Sequence, residues 1–221
     1  MAKPIPYQPL SLRLAHGVIA ILVLLALLSG FWVYNTYDGR WGALPLPKIP
    51  DIQGLHGTIA LVLLLLFPFF ALYCFHWGDR RLVQEKTLPQ LPKGNWRAWH
   101  RLANTLMLVA VTFALITGRM MQEEWLPAGE LNRGWYLAHL AAWSVVLLSL
   151  LAHLILGAKA GGRLLLVSML SFAIRPEDRP VGNWWRGGRL KPASPLLVGL
   201  EIIVLLATGA AFVLPAIITA Q

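Results

Sequence analysis

Apolar residues gather in five separate stretches of this chain, each close to the roughly 20 residues a helix needs to cross a bilayer. They run over approximately 15–35, 55–76, 99–121, 135–157 and 196–218. In lipid the backbone N–H and C=O groups must be satisfied within the segment, so each stretch reads as a helix. The first has a longer apolar run than a signal-peptide core, and no small-residue cleavage site follows it. It is therefore expected to persist as a span.

Between the fourth and fifth stretches lies "RLLLVSMLSFAIRPEDRPVGNWWRGGRLKP". Its apolar part is too short to span, so an interfacial helix and a Pro/Gly-rich loop are expected, with Trp184 and Trp185 near the headgroups. The expected architecture is an all-α integral membrane protein, a four-helix transmembrane bundle plus a fifth C-terminal helix. Its parts would be a core over residues 1–165, an interfacial segment and cytoplasmic loop over 166–195, and the fifth helix over 196–221.

Composition agrees with the pattern. Hydrophobic residues make up 57% of the 221 and charged residues only 13%, against about a quarter charged in a soluble domain. The mean hydropathy is +0.61. A net charge of +9 would suggest nucleic acid in a soluble protein; in a membrane protein it reports topology. With a cytoplasmic N-terminus, that side carries Lys3, Arg13, Arg80, Arg81, Lys86, Lys93, Arg97, Arg101, Lys159, Arg163, Arg175, Arg179, Arg186, Arg189 and Lys191. The other side carries Arg40, Lys48, Arg119 and Arg133. Positive charge collects in cytoplasmic loops, so the N-terminus is expected inside and the C-terminus outside. The single cysteine, Cys74, excludes an intramolecular disulfide, an iron–sulfur cluster held by this chain's own thiolates, and c-type haem attachment.

The candidate chemistry lies in the histidines. His139 and His153 sit 14 positions apart in "HLAAWSVVLLSLLAH", with no charge between them. Fourteen residues rise about 21 Å along a helix and return within about 40° of the same face. With the N-terminus inside, His16 shares the inner level with His153, and His56 shares the outer level with His139. An imidazole in an apolar span calls for a partner. Two stacked pairs on facing helices suit two iron porphyrins, each taking an axial imidazole on either face. Zinc fits less well, because it gathers about four ligands at one point. His76, at a helix end, reads as interfacial; His100 is open between interfacial packing and a quinone site. Small residues accompany the set: Gly17, Gly57, Ala138 and Ala152 beside the histidines, and Gly30 and Gly118 in helices one and three. They permit close approach of helix to helix or of backbone to a flat macrocycle.

These features resemble the bacterial di-haem b-type cytochromes. That family includes b561-type cytochromes and the cytochrome-b membrane subunits of respiratory formate dehydrogenases and nickel–iron hydrogenases. The resemblance rests on "RLAH" with Arg13 and His16, on Ser29-Gly30, on His56, on Thr117-Gly118, and on the His139/His153 pair, over about residues 10–165. It implies two haem b groups, one held by His16 with His153 and one by His56 with His139. It also implies electron transfer between a redox partner or substrate and the quinone pool of the bacterial cytoplasmic membrane. A quinone pocket near the inner haem would have Arg101 or His100 as its basic residue at the start of helix three. The family's Asn-x-Gly-Gln-Lys is absent, and the fifth helix has no counterpart in the four-helix core.

Arg13 and Arg101 are candidates to stabilise haem propionates inside, and Arg119 and Arg133 outside, although ordinary positive-inside charge would also place the inner two there. Glu201 is the only acid well inside a span. It could relay protons to a reduced quinone; the plainer expectation is that it snorkels or pairs with a nearby arginine. A rival class is a stand-alone di-haem oxidoreductase, of superoxide oxidase or ferric reductase type. A further rival is a haem-free structural or transport subunit.

Overall fold

A computed structural model describes residues 8–121, 130–178 and 194–218. It contains α1 (Leu10–Tyr37), α2 (Ile52–His76), α3 (Trp96–Met120), α4 (Glu130–Leu170) and α5 (Pro195–Ile218), with three short 3-10 turns and no strand among the described residues. All five helices are long and apolar enough to cross a membrane. The chain is thus an all-helical integral membrane protein, as the hydropathy pattern predicts.

The first four helices close a ring in which α1 packs on α2 and α4, and α4 packs extensively on α3. The contact between α2 and α3 is slight, and α5 lies along the seam between them. Its buried residues Leu197, Val204 and Ala211 recur every seven positions and face that seam. Inward residues from four helices, including Val23, Leu27, Leu64, Phe67, Val111, Leu115 and Val146, form the core. The outward faces carry Leu28, Phe69 and Leu206, all exposed. In lipid this is the normal state of an apolar side chain, so helix association rests on packing and polar contacts.

One helix end differs from the hydropathy reading. Helical backbone continues past residue 157 to Leu170, but in two stretches joined across a kink at Gly162 (φ 69, ψ −174). That backbone conformation is open to glycine and strained for other residues. The predicted interfacial segment therefore begins as the continuation of α4 beyond this break. Trp184 and Trp185 lie outside the described residues.

Glu201 meets His76 of α2, Oε1 to Nε2 at 2.7 Å, so its partner is a histidine rather than the expected arginine. His76, in turn, joins α2 to α5. Turned inward at this seam, the acid is paired instead of snorkelling to the headgroups.

A buried ion pair fastens the segment after α4 across the start of α1. Arg13, 0% exposed, pairs with Asp178 at 2.5 Å. It also donates to the carbonyls of Ser171 and Ala173, and Asp178 accepts from the backbone N–H of Leu10 and Arg175, both at 2.9 Å. At the opposite end, Asp38 caps the loop after α1. It accepts from Arg40 (2.7 Å) and from the Tyr136 hydroxyl (2.7 Å), and Arg40 holds its carboxyl below the usual range.

Asp178→Ala would leave the Arg13 charge buried and unpaired, a loss of about 3–5 kcal/mol. A fall in thermal stability is expected in detergent, with the double variant Arg13→Met/Asp178→Leu less damaged than Asp178→Ala alone.

Candidate functional site

The inward stripe of α4 reads His139, Ala142, Val146, Ser149, His153, a spacing of three and four that keeps one face toward the bundle. Ala142, Val146 and Ser149 are buried. Both histidines therefore point inward, one near each end of the span. The fold brings His16 of α1 to His153, with ring centres 6.1 Å apart. It brings His56 of α2 to His139, with ring centres 6.2 Å apart.

The two spacings are informative. With metal–nitrogen bonds of about 2.0 Å, two imidazoles bound end-on to opposite faces of one metal ion have ring centres about 6.3 Å apart. Both pairs lie close to this value. His100 does not: its ring centre is 5.1 Å from that of His153, too near for the opposite face of a shared ion. It stands beside the inner pair, and its Nε2 is buried with no hydrogen-bond partner among the described residues.

A metal-ligating imidazole normally donates its second N–H to a protein acceptor, which fixes ring orientation and tautomer. Three of the four histidines do so through Nδ1. The Ser29 hydroxyl donates to the Leu25 carbonyl at 2.7 Å, so its oxygen is free to accept from His56 Nδ1 at 2.9 Å. His139 Nδ1 donates toward the Ala114 carbonyl and Thr117 Oγ1, each at 3.1 Å. His153 Nδ1 lies 2.7 Å from Asn104 Oδ1. In each case the lone pair is left on Nε2, the nitrogen that can bind iron. His16 has no such anchor among the described residues; its ring rests edge-on against Phe70.

The residue after each anchoring hydroxyl is glycine. A Cβ at Gly30 would lie 3.1 Å from His56 Cε1, and one at Gly118 would lie 2.9 Å from His139 Cε1. Ser29-Gly30 on α1 and Thr117-Gly118 on α3 thus do the same work for the two outer histidines: the hydroxyl holds Nδ1 and the missing side chain makes room for the ring. Gly17 instead lies against the Phe172 ring. The 14-residue interval of His139 and His153 recurs from His16 to Gly30 and from Asn104 to Gly118, so three helices carry a residue at each level.

Two clefts flank the outer pair, and both are lined by His56, His139 and Trp143. One reaches inward to Val23, Leu64, Val111 and Arg119; the other reaches outward to Tyr34, Trp41 and Tyr136. Each encloses about 880 Å³, including space open to the surroundings. Apolar space on both sides of a pair of facing imidazoles accommodates a flat macrocycle passing between them. Donor chemistry, ring spacing and anchored tautomers fit an iron porphyrin.

Among the predicted arginines, Arg119 lines the inner of these clefts. Arg13 has both terminal nitrogens engaged by Asp178, Ser171 and Ala173. Arg101 is partly buried next to His100, and the side chain of Arg133 lies outside the described residues. Asn104 was not legible as a site residue. A polar amide inside an apolar helix, one turn past His100, was the available signal.

The arrangement defines a membrane bundle with two inward imidazole pairs, the class of a b-type haem protein. Residues 7–172 match the family model described as prokaryotic cytochrome b561, and the chain belongs to that family. Membership makes it a haem b membrane protein of electron transfer. The match spans α1 to α4 and ends before α5. Comparison with curated proteins and with solved structures gives no significant match.

Gly118→Ala is expected to displace the His139 ring and lower bound haem more than Gly30→Ala, since its Cβ would lie nearer the imidazole. Thr117→Val, which leaves the Ala114 carbonyl as acceptor, should weaken haem retention by about 10-fold, the low end of the cost of disturbing such an anchor. Haem per chain after purification, read from the reduced-minus-oxidised spectrum, checks both.

Proposed function

We propose that this protein carries electrons across the membrane between two bis-histidine haem b groups and exchanges them with the quinone pool. His16 and His153 hold the inner haem; His56 and His139 hold the outer. The observation that carries this reading is the near-equal ring spacing of the two pairs, 6.1 and 6.2 Å. Haem b supplies a one-electron redox centre when bound. The chain supplies everything around it. Nε2 of His56, His139 and His153, with a ring nitrogen of His16, would bind the iron, and Ser29, Thr117 and Asn104 hold three of the rings. The stripe Ala142, Val146 and Ser149 fills the space between levels with buried, uncharged side chains. A 14-residue separation of about 21 Å puts one level near each membrane face, so a haem at each would divide the crossing into shorter steps rather than one long jump.

The quinone is assigned to the inner level, beside His153. His100 supports this: it is too close to His153 to share its iron, and its buried Nε2 is left to meet a quinone oxygen. Arg101 adjoins it, and the family resemblance points to the same place. Arg101 inside and Arg119 outside are the propionate candidates; Arg13 fastens the Asp178 segment beside the inner level. The excess of basic residues around the inner level supports a cytoplasmic N-terminus.

Replacing the axial histidines singly tests the reading. His139→Ala should keep one haem, at the inner site, and His153→Ala should keep one, at the outer. Loss of both or neither would count against the pairing. His100→Leu should retain both haems while slowing their reduction by a quinol about tenfold or more, on the scale of a lost hydrogen bond to a buried polar group. An unchanged quinol-driven rate would remove His100 from the quinone site.

A further inference from the structure

We infer that Asn104 is a positioning residue that sets the potential of the inner haem through His153, an inference that rests on His153 being an axial ligand. The hydrogen bonds around Asn104 leave one consistent arrangement. Its Nδ2 lies 2.9 Å from the carbonyl oxygen of Arg81. A carbonyl can only accept, so the amide nitrogen faces Arg81 and Oδ1 faces His153. Oδ1 can only accept as well, so His153 Nδ1 carries the proton. The 2.7 Å contact is then an N–H donated to an amide oxygen, shorter than the anchors of His56 at 2.9 Å and His139 at 3.1 Å.

The Arg81 carbonyl is itself held in place. Leu82 and Val83 are buried, and Val83 N–H donates to Thr105 Oγ1 at 2.9 Å. Gln84 Nε2 donates to the Asp79 carbonyl at 3.2 Å. The loop between α2 and α3 is thus pinned to α3 on the same turn that presents Asn104. Among the described residues the outer histidines have no such link: Ser29, Thr117 and the Ala114 carbonyl all belong to the spans themselves. Among the described residues, His153 is the one anchored ligand tied through an amide to a loop outside the helices.

The chemistry follows from the acceptor. An acceptor on Nδ1–H pushes electron density into the imidazole and makes Nε2 a stronger donor to iron. A more electron-rich axial ligand stabilises oxidised iron and lowers the potential. Removing the acceptor should raise the inner potential, and a carboxylate in its place should lower it further.

The test is a spectroscopic redox titration of the full chain in detergent, for wild type, Asn104→Leu and Asn104→Asp, with His139→Ala to identify the inner haem's signal. Asn104→Leu should raise the inner potential so that the oxidised-to-reduced ratio at fixed ambient potential falls about tenfold, a shift of about 59 mV for one electron. Asn104→Asp should shift it the other way, and the outer potential should not move in either. Opposite signs are the signature, since mere loosening of the fold moves both variants alike. An inner potential unmoved in Asn104→Leu, or shifts of the same sign, overturns the inference. Should Asn104→Leu lose the inner haem, Asn104→Asp decides alone: no fall in potential overturns it. Failure of the axial reading is distinct, for His153→Ala would then keep both haems.

Discussion

A neutral imidazole inside a lipid-spanning bundle has two nitrogens to satisfy, and the rest of this structure depends on how they are divided. Nδ1 of His56, His139 and His153 is given to the protein, to Ser29, to Thr117 with the Ala114 carbonyl, and to Asn104. That division commits the other nitrogen to something that accepts a lone pair. The helices bring the four rings together as two couples, His16 with His153 and His56 with His139, and the missing side chains of Gly30 and Gly118 leave room for the rings of His56 and His139. Residues other than the four histidines thus determine how the rings are held.

The same division separates the two levels. The outer pair is anchored wholly by groups of the spans, in a part of the bundle flanked by clefts on both sides. The inner pair lies beside a third imidazole, that of His100, and is tied through Asn104 to the loop between α2 and α3. It also lies near the Arg13–Asp178 pair, which closes the segment after α4 over the start of α1. Connecting segments reach both levels, Trp41 and Gly42 lining the cleft beside His56 and His139, but only His153 is linked to one through a side-chain amide among the described residues. The fifth helix lies outside the matched family core and is joined to it along the α2–α3 seam, with the Glu201–His76 contact as its polar fixing point.

Much of this was legible in the sequence because it follows from periodicity along single helices. Five spans were readable from apolar length, and the shared face of His139 and His153 from a 14-residue step. The two depth levels followed from the alternation of helix direction. What could not be read were relations between helices, which depend on each helix's rotation about its axis. Glu201 was expected near an arginine, and it meets His76 because α5 seats on the α2–α3 seam rather than at the basic end of the bundle. Arg13 looked like a haem neighbour by position, yet its terminal nitrogens are taken up by Asp178 and two carbonyls from a segment 160 residues later in the chain. Asn104 carried no motif at all. The Ser-Gly and Thr-Gly steps were visible as dipeptides, but their shared task appears only when His56 and His139 are set against them.

The most direct measurement is the haem content of the purified chain together with its redox titration. Two haem b per chain, titrating as two one-electron centres of different potential, are expected. A single haem per chain, or a spectrum without a b-type band on reduction, would contradict the two-centre arrangement.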